Sequence, residues 1–279
     1  GRISETIGRP GVTRIVVHAG FHKTGTTSLQ QCLRAHDPQL APHVALYYGA
    51  RLGPVQHRGR HYGYEPTDEK LARFRRGLRR FLRDIPDADQ IVLTREAFSG
   101  ALLGETRTDG SRITCYHPTS VPLAQELLAG LWARFGNAAE ISFLYSTRDN
   151  DSMIASAHRH LLRLRRMTDD LDAFRASLSF DKDTELDALR AALADVPLIE
   201  APLAQTGAAP AGPASAVLDL LDLPDDLRAG IRWTRRNRPG QSADLSAELL
   251  HLNRTVTDEA TLKSIKAKLL LDREGIRPD

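Results

Sequence analysis

The sequence predicts an α/β protein: a parallel β-sheet sandwiched by helices, followed by a helical C-terminal region. Three observations predict it. Short β-rich runs alternate with segments of helical spacing, a glycine-bearing loop joins the first run to the first helical segment, and the β-rich runs stop at about Pro210. Strands alternating with helices of this length imply crossover connections, hence a parallel sheet covered on both faces.

The strands are expected at Arg14–His18, Val44–Tyr48, Gln90–Thr94, Ile141–Ser146 and Val196–Glu200. Between them, Leu29, Cys32 and Leu33 form one helical stripe. Leu71, Phe74, Leu78, Phe81 and Leu82 form a second, and Leu123, Leu127, Leu128, Leu131 and Phe135 a third, opened by Pro122. The segment Gly49–Pro66 holds four glycines without periodicity and reads as an exposed loop. Ala201–Pro213, rich in Ala, Gly and Pro, reads as a loop or linker. Beyond it the helical candidates are Ser215–Leu221, Ala243–Leu252 and Glu259–Leu271. A single domain over residues 1–279 is expected, with a core at about 12–205 and a helical cap at about 213–279.

With 279 residues the chain can bury a proper core, and 41% hydrophobic with 26% charged residues is ordinary for a soluble globular protein. The formal charge of +3, from 38 basic against 35 acidic residues, is too mild to argue for nucleic acid but suits an anionic ligand. Cys32 and Cys115 offer neither metal-ligand spacing nor a disulfide framework, so no metal is expected and a reducing compartment fits. No apolar run approaches the roughly 18 residues that span a bilayer, and Gly1–Pro10 lacks the apolar core of a signal peptide. The expectation is a cytoplasmic protein without a transmembrane segment.

Chemistry concentrates in Gly20-Phe-His-Lys-Thr-Gly-Thr-Thr-Ser28, between the first strand and a helix beginning at about Thr26. A glycine-bearing turn there aims backbone N–H groups into one concavity, and the helix N-terminus adds partial positive charge. The hydroxyls of Thr24, Thr26, Thr27 and Ser28 can donate to phosphate oxygens. Gly20 and Gly25 have the spacing of the Walker glycines, but Thr26 follows where that pattern has lysine, and the lysine has moved inside the loop to Lys23. A second anchor is Arg148, at the end of the fourth strand, with Ser156 eight positions on in the next helix, for which Asn150 or Asp151 is the expected N-cap. Arginine offers a rigid donor fork suited to phosphate. Glu96, just past the third strand, is placed where open α/β sheets line their sites.

Lys23-Thr-Gly-Thr-Thr-Ser28 resembles the 5′-phosphosulfate loop of the sulfotransferases that use PAPS (3′-phosphoadenosine 5′-phosphosulfate), and the Arg148/Ser156 spacing resembles their 3′-phosphate motif. The resemblance covers roughly Arg14 to Arg163 and is closer to the bacterial and carbohydrate-type branches than to the cytosolic aryl type, which usually carries tryptophan where this chain has Ser28. It implies a P-loop NTPase-like fold, PAPS as co-substrate, and a hydroxyl-bearing acceptor, a carbohydrate or glycolipid. It also implies roles: Lys23 on the leaving phosphate, Gly25, Thr26, Thr27 and Ser28 around the 5′-phosphate, and Arg148 with Ser156 on the 3′-phosphate. Arg236 and Arg238 fall where the family adds a C-terminal arginine.

Transfer to a hydroxyl needs a general base, and Glu96 is the first candidate with His22 its rival. His57 and His61, in the expected loop, are candidates for lining the acceptor side; their i, i+4 spacing would suit a metal on a helix, but Gly59 between them and Gly63 after them argue against one. His158 and His160 are two apart on a helix and face different ways. Arg73, Arg75, Arg76, Arg79, Arg80 and Arg83 crowd one helix, as a solvated face or as a track for an acidic polysaccharide or lipid headgroup. Two other function classes compete. A nucleotide kinase or NTPase needs lysine directly after Gly25 and an acidic Mg²⁺ partner ending an apolar strand, where this chain has Thr26 and Thr94-Arg95-Glu96. A non-catalytic nucleotide- or polyanion-binding module would keep the pocket without the chemistry.

Overall fold

The computed structural model describes residues 11–234 and 240–275. Its strands are β1 (Arg14–His18), β2 (Ala45–Tyr48), β3 (Gln90–Thr94), β4 (Glu140–Thr147) and β5 (Leu198–Pro202). They form one all-parallel sheet in the order β2-β3-β1-β4-β5. Between β1 and β2 lie α1 (Thr26–Ala35) and α2 (Asp37–Leu40), and between β2 and β3 lie α3 (Val55–Tyr64) and α4 (Asp68–Asp84). Helix α5 (His117–Phe135) precedes β4, and α6 (Asn150–Leu164), α7 (Leu171–Ala176) and α8 (Lys182–Ala192) precede β5. After the sheet come α9 (Leu203–Thr206), α10 (Ser215–Leu218), α11 (Asp225–Gly230), α12 (Ala243–Thr255) and α13 (Glu259–Glu274).

Alternation along the strands divides the core between the two faces of the sheet. Ile15, Val17, Ile91, Leu93 and Phe143 pack against the stripes of α4, α5 and α6, represented by Leu78, Leu127 and Leu161. Val16, Val92, Leu144 and Leu46 pack against Leu29 and Leu33 of α1 and against Val217 and Leu218 of α10. Helices α12 and α13 are tied to the far end of α6 by polar bonds. Buried Lys266 donates to Arg165 O and Asn253 Oδ1, both at 2.8 Å, while Asn253 Nδ2 donates to Leu162 O at 3.2 Å and Met167 O at 2.9 Å. Among the described residues, no helix is long and apolar enough to cross a membrane.

Four expectations are corrected. The stretch Gly49–Pro66 is not an open loop, because residues Val55–Tyr64 form α3. Gly59 and Gly63 are there for packing: a Cβ on Gly59 would lie 2.1 Å from the carbonyl oxygen of Ala97, and one on Gly63 2.1 Å from the amide nitrogen of Ala101. Their bare face lets the helix backbone rest on the segment that follows β3. Pro122 does not open α5, which begins at His117 with Pro118 in its first turn. Asp149, not Asn150 or Asp151, caps α6, its carboxylate accepting the Ser152 N–H at 2.9 Å. Finally, Ala201–Pro213 is partly regular: it holds the end of β5 and α9. Pro202 is tolerated because β5 pairs only with β4, at the sheet edge.

Candidate functional site

The loop after β1 lies at the carboxyl end of the central strand, flanked by the ends of β3 and β4. The His18 ring bridges these ends, with Nδ1 2.8 Å from Thr94 Oγ1 and Nε2 2.9 Å from Ser146 Oγ. Burial pushes its pKa down to about 4, against the pull of Glu96, so the bridge is neutral. Above it the loop stays paired to β4: Phe21 N–H donates to Ser146 O at 3.0 Å, and Ser146 N–H to Gly20 O at 2.8 Å. Two residues of the loop crest have positive φ, Lys23 at 64° and Gly25 at 89°. Gly25 needs its missing Cβ twice over, since a Cβ would meet Pro213 at 2.9 Å and Leu203 at 3.0 Å. Thr24 is corrected as a ligand candidate. It is fully buried, and its hydroxyl donates to Phe21 O at 2.5 Å, closing the loop on itself.

A cleft of about 470 Å³ opens beside the loop, lined by His22, Lys23, Gly25, Thr26, Thr27 and Ser28 and, opposite them, by Arg60, Tyr64, Glu96, Glu105, His160 and Arg165. The Lys23 ammonium donates to Nδ1 of His160 at 2.8 Å. Burial brings the Lys23 pKa down to about 8, with repulsion from Arg163 adding to it and Glu96 opposing. The His160 pKa falls to about 3, through burial and then the neighbouring Lys23 charge. A charged lysine therefore leans on a neutral imidazole, and its positive charge is left available to the cleft.

Glu96 opens the short turn after β3. Gln30 of α1 donates to its Oε2 at 3.2 Å, and Arg95 NH1 lies 3.5 Å from its Oε1. Burial opposes ionisation here, but the attraction of His22, Arg95 and His18 and its own backbone amide outweigh it, so the carboxyl titrates below its ordinary range. Arg95 is buried and anchored to Gln56 O at 2.9 Å. His22 is also buried and stacks on Tyr116 with ring centroids 5.7 Å apart. The Tyr116 hydroxyl accepts the Leu103 N–H and hydrogen-bonds to His22 Nδ1, each contact 3.2 Å long. His22 is thereby tied to the core through Nδ1. Its pKa is pushed to about 4, by burial first and then by Arg60, Lys23 and Arg95 against Glu96. An imidazole held neutral in this way is a poor base.

Arg148 follows β4 directly, and its NH1 donates to Lys23 O at 3.1 Å, so the guanidinium lies against the back of the loop crest. It also lines a second cleft of about 570 Å³ with Thr147, Lys182, Glu200, Pro202, Leu203 and Ala204. Ser156 is half-buried on α6, one turn before His160 and on the same side of the helix. The loop thus stands between two clefts, with cationic groups on both sides of it.

No protein-family model matches the chain, and no curated protein matches it. A solved structure that it does resemble is a sulfotransferase from Alicyclobacillus acidocaldarius, with 13% identity, a TM-score of 0.45 and 98% of each chain covered.

His57 and His61 are exposed on α3 and do not line the cleft; from that helix Arg60 and Tyr64 do. Arg236 and Arg238 lie outside the described residues. The sequence reading missed the far wall. Glu105 accepts from Tyr64 Oη at 3.2 Å and from Arg165 Nε at 3.0 Å, joining three segments distant along the chain. His158 and His160 do face different ways, His158 bonding to Asp169 O at 2.8 Å while His160 enters the cleft. Folding also brings Cys115, His117 and Glu185 together, with ligand atoms within 4.8 Å of one another. Glu185 already works there as a cap for α5, accepting the Tyr116 N–H at 3.0 Å.

Proposed function

We propose that the chain is a PAPS-dependent sulfotransferase acting on a hydroxyl of a carbohydrate or glycolipid. The observation that carries this reading is the placement of Lys23. Its ammonium stands at the loop crest, facing a cleft that also holds the Glu96 carboxylate, while Arg148 bonds to the Lys23 carbonyl from the side of the second cleft. An anionic ligand with phosphates at two ends needs two anion sites, and the loop with Arg148 supplies them.

In this reading the loop amides, Thr26, Thr27 and Ser28 hold the 5′-phosphate at the start of α1. Arg148 and Ser156 select the 3′-phosphate, and Pro202, Leu203 and Ala204 offer the base an apolar wall. As the acceptor oxygen bonds to sulfur, the bond from sulfur to the bridging oxygen breaks and its electron pair leaves with the 5′-phosphate, where Lys23 meets the charge. The acceptor proton passes to Glu96. A carboxylate with a lowered pKa is ionised at neutral pH but weakly basic, so it takes the proton only as the new S–O bond forms. His22, buried and held neutral, serves as a hydrogen-bond partner of a sulfuryl oxygen rather than as the base. The whole chain acts as one catalytic domain, with α12 and α13 bracing α6 and hence His160. Cytoplasmic placement belongs to the same reading, supported by two free, buried cysteines.

Calorimetry with 3′-phosphoadenosine 5′-phosphate against ADP tests the donor site. Tighter binding of the 3′-phosphate compound is expected, with the gap narrowed in Arg148→Met. Equal affinities in the wild type contradict the reading.

A further inference from the structure

Helix α4 exposes Arg73, Arg75, Arg76, Arg79, Arg80 and Arg83 on the side turned away from its buried Phe74, Leu78, Phe81 and Leu82. Two of the six have acidic partners, Arg75 with Glu126 of α5 at 2.6 Å and Arg83 with Asp84 at 3.4 Å. Arg73, Arg76, Arg79 and Arg80 form no ion pair among the described residues. The other acidic residues of the helix, Asp68 and Glu69, sit in its first turn, and Lys70 is paired with Glu65.

The cluster is strained by its own charge. Arg76 and Arg80 are four apart, as are Arg75 and Arg79, and like charges at that spacing oppose the helix. Arg58 of α3 reaches over Gly77 to donate to Arg73 O at 2.8 Å. Burial lowers its pKa, and Arg73, Arg76 and Arg80 lower it further. The same field extends along α3. His61 is depressed by burial, then by Arg73, His57, Lys70 and Arg60, and His57 by burial, Arg95 and Arg60. Arg60 in turn lines the cleft beside Lys23. One continuous basic surface therefore leads from the exposed stripe Arg73, Arg76 and Arg80, about 10 Å long at the rise of an α-helix, over α3 to the cleft mouth.

We infer that this α3/α4 face binds a polyanionic polysaccharide, and, resting on the function proposed above, that such a polymer is the acceptor which Arg60 leads into the cleft. A ligand carrying repeated carboxylate or sulfate groups relieves the repulsion that the free protein carries. Two features select a soluble polymer over other polyanions. Among the described residues the large exposed hydrophobic ones are Leu164, Ile265 and Leu271, none of them on α3 or α4, so these two helices offer nothing of that kind to insert into a bilayer. Tyr62, Phe74 and Phe81 are buried, and Tyr64 is half-buried with its hydroxyl tied to Glu105, so α3 and α4 present no fully exposed aromatic platform of the kind on which single-stranded nucleic acid stacks.

The test uses the full chain without donor and measures binding of polygalacturonate, neutral dextran and phosphatidylserine vesicles at several salt concentrations. Polygalacturonate should bind at least tenfold more tightly than dextran. The triple variant Arg73→Gln/Arg76→Gln/Arg80→Gln should lose about tenfold of that affinity, with a shallower salt dependence and a melting temperature no lower than that of the wild type. Arg190→Gln, which removes an exposed arginine of α8 paired with Asp187, should bind as the wild type does. Equal binding by the triple variant and the wild type overturns the inference, as does an equal loss in Arg190→Gln or preferential binding to vesicles. Because no donor is present, failure of sulfuryl transfer leaves this outcome untouched and strikes only the proposed function. Where transfer is observed, the triple variant should raise KM for the polymer and leave kcat with a monosaccharide acceptor unchanged.

Discussion

Raising the pH through 8 should weaken binding of the bisphosphate ligand, and Lys23→Met should weaken it further while stabilising the unliganded fold. Lys23 is pushed down from 10.5 to about 8 by burial, with Arg163 reinforcing the shift and Glu96 resisting it. A group with that pKa holds its proton in about nine molecules of ten at pH 7 and about one in ten at pH 9. A site that needs the ammonium therefore loses about tenfold in association constant across that interval. Ligand phosphates, with second pKa values near 6, are already about nine-tenths ionised at pH 7 and gain charge above it, so the fall belongs to the protein. The sign for stability runs the other way. The folded pKa lies below the unfolded one, so the charged lysine opposes folding at pH 7, and this cost is lifted as pH rises from 8 towards 10.5. Lys23→Met should add about 1–3 kcal/mol to stability, while losing a charge-assisted hydrogen bond to phosphate of about 1.5–3 kcal/mol, or at least tenfold in affinity. Calorimetry with 3′-phosphoadenosine 5′-phosphate at pH 7, 8 and 9 and thermal melts of the unliganded protein measure both, and Lys23→Arg should bind with a flat pH profile. Wild-type affinity that stays constant to pH 9, or wild-type affinity in Lys23→Met, would refute the reasoning.

Glu96→Gln keeps the shape of the contact with Gln30 but cannot take a proton; kcat should fall by about 10²–10⁴ with donor binding retained, and an unchanged kcat removes Glu96 as the base. His18 and His22 titrate at about 4 and His160 at about 3 in the folded chain, against 6.5 unfolded. Stability should thus be full above pH 6.5 and fall as pH drops towards 4, by about 3 kcal/mol for His18 alone; urea midpoints for His18→Gln should show a gentler decline, and an identical decline counts against the assignment. Gly59→Ala improves helix propensity by about 1 kcal/mol, yet its Cβ would sit 2.1 Å from Ala97 O. It should lower stability by about 1–3 kcal/mol, and a raised melting temperature would show that α3 is free to move from the Glu96 turn.

The parts of the fold legible in the sequence were those with local causes. Each β-rich run is a strand, and the loop Gly20–Ser28 carries its own turn chemistry. The reading failed where tertiary contact overrides a local signal. Gly59 and Gly63 look like helix breakers until the backbone after β3 is set against them, and their packing is what makes a helix there. Thr24 looks like another phosphate hydroxyl, but its buried position turns it back to Phe21 O. For the candidate site, Lys23, Glu96 and Arg148 were legible as candidates because each lies in the segment that follows a strand's carboxyl end. Arg60, Tyr64, Glu105, His160 and Arg165 come from three separate segments and carry no motif. The i, i+4 pairing of Arg60 with Tyr64, offset from His57 and His61, was the one local hint.

The measurement that meets the central claim most directly is transfer of a radiolabelled sulfuryl group from PAPS to a panel of sugars, glycolipids and phenols, run with wild type and Lys23→Ala side by side. Metal-independent transfer to a sugar hydroxyl by the wild type is expected, with transfer abolished in a Lys23→Ala protein that still melts cooperatively. Absence of transfer to every acceptor, or undiminished turnover in Lys23→Ala, contradicts the account.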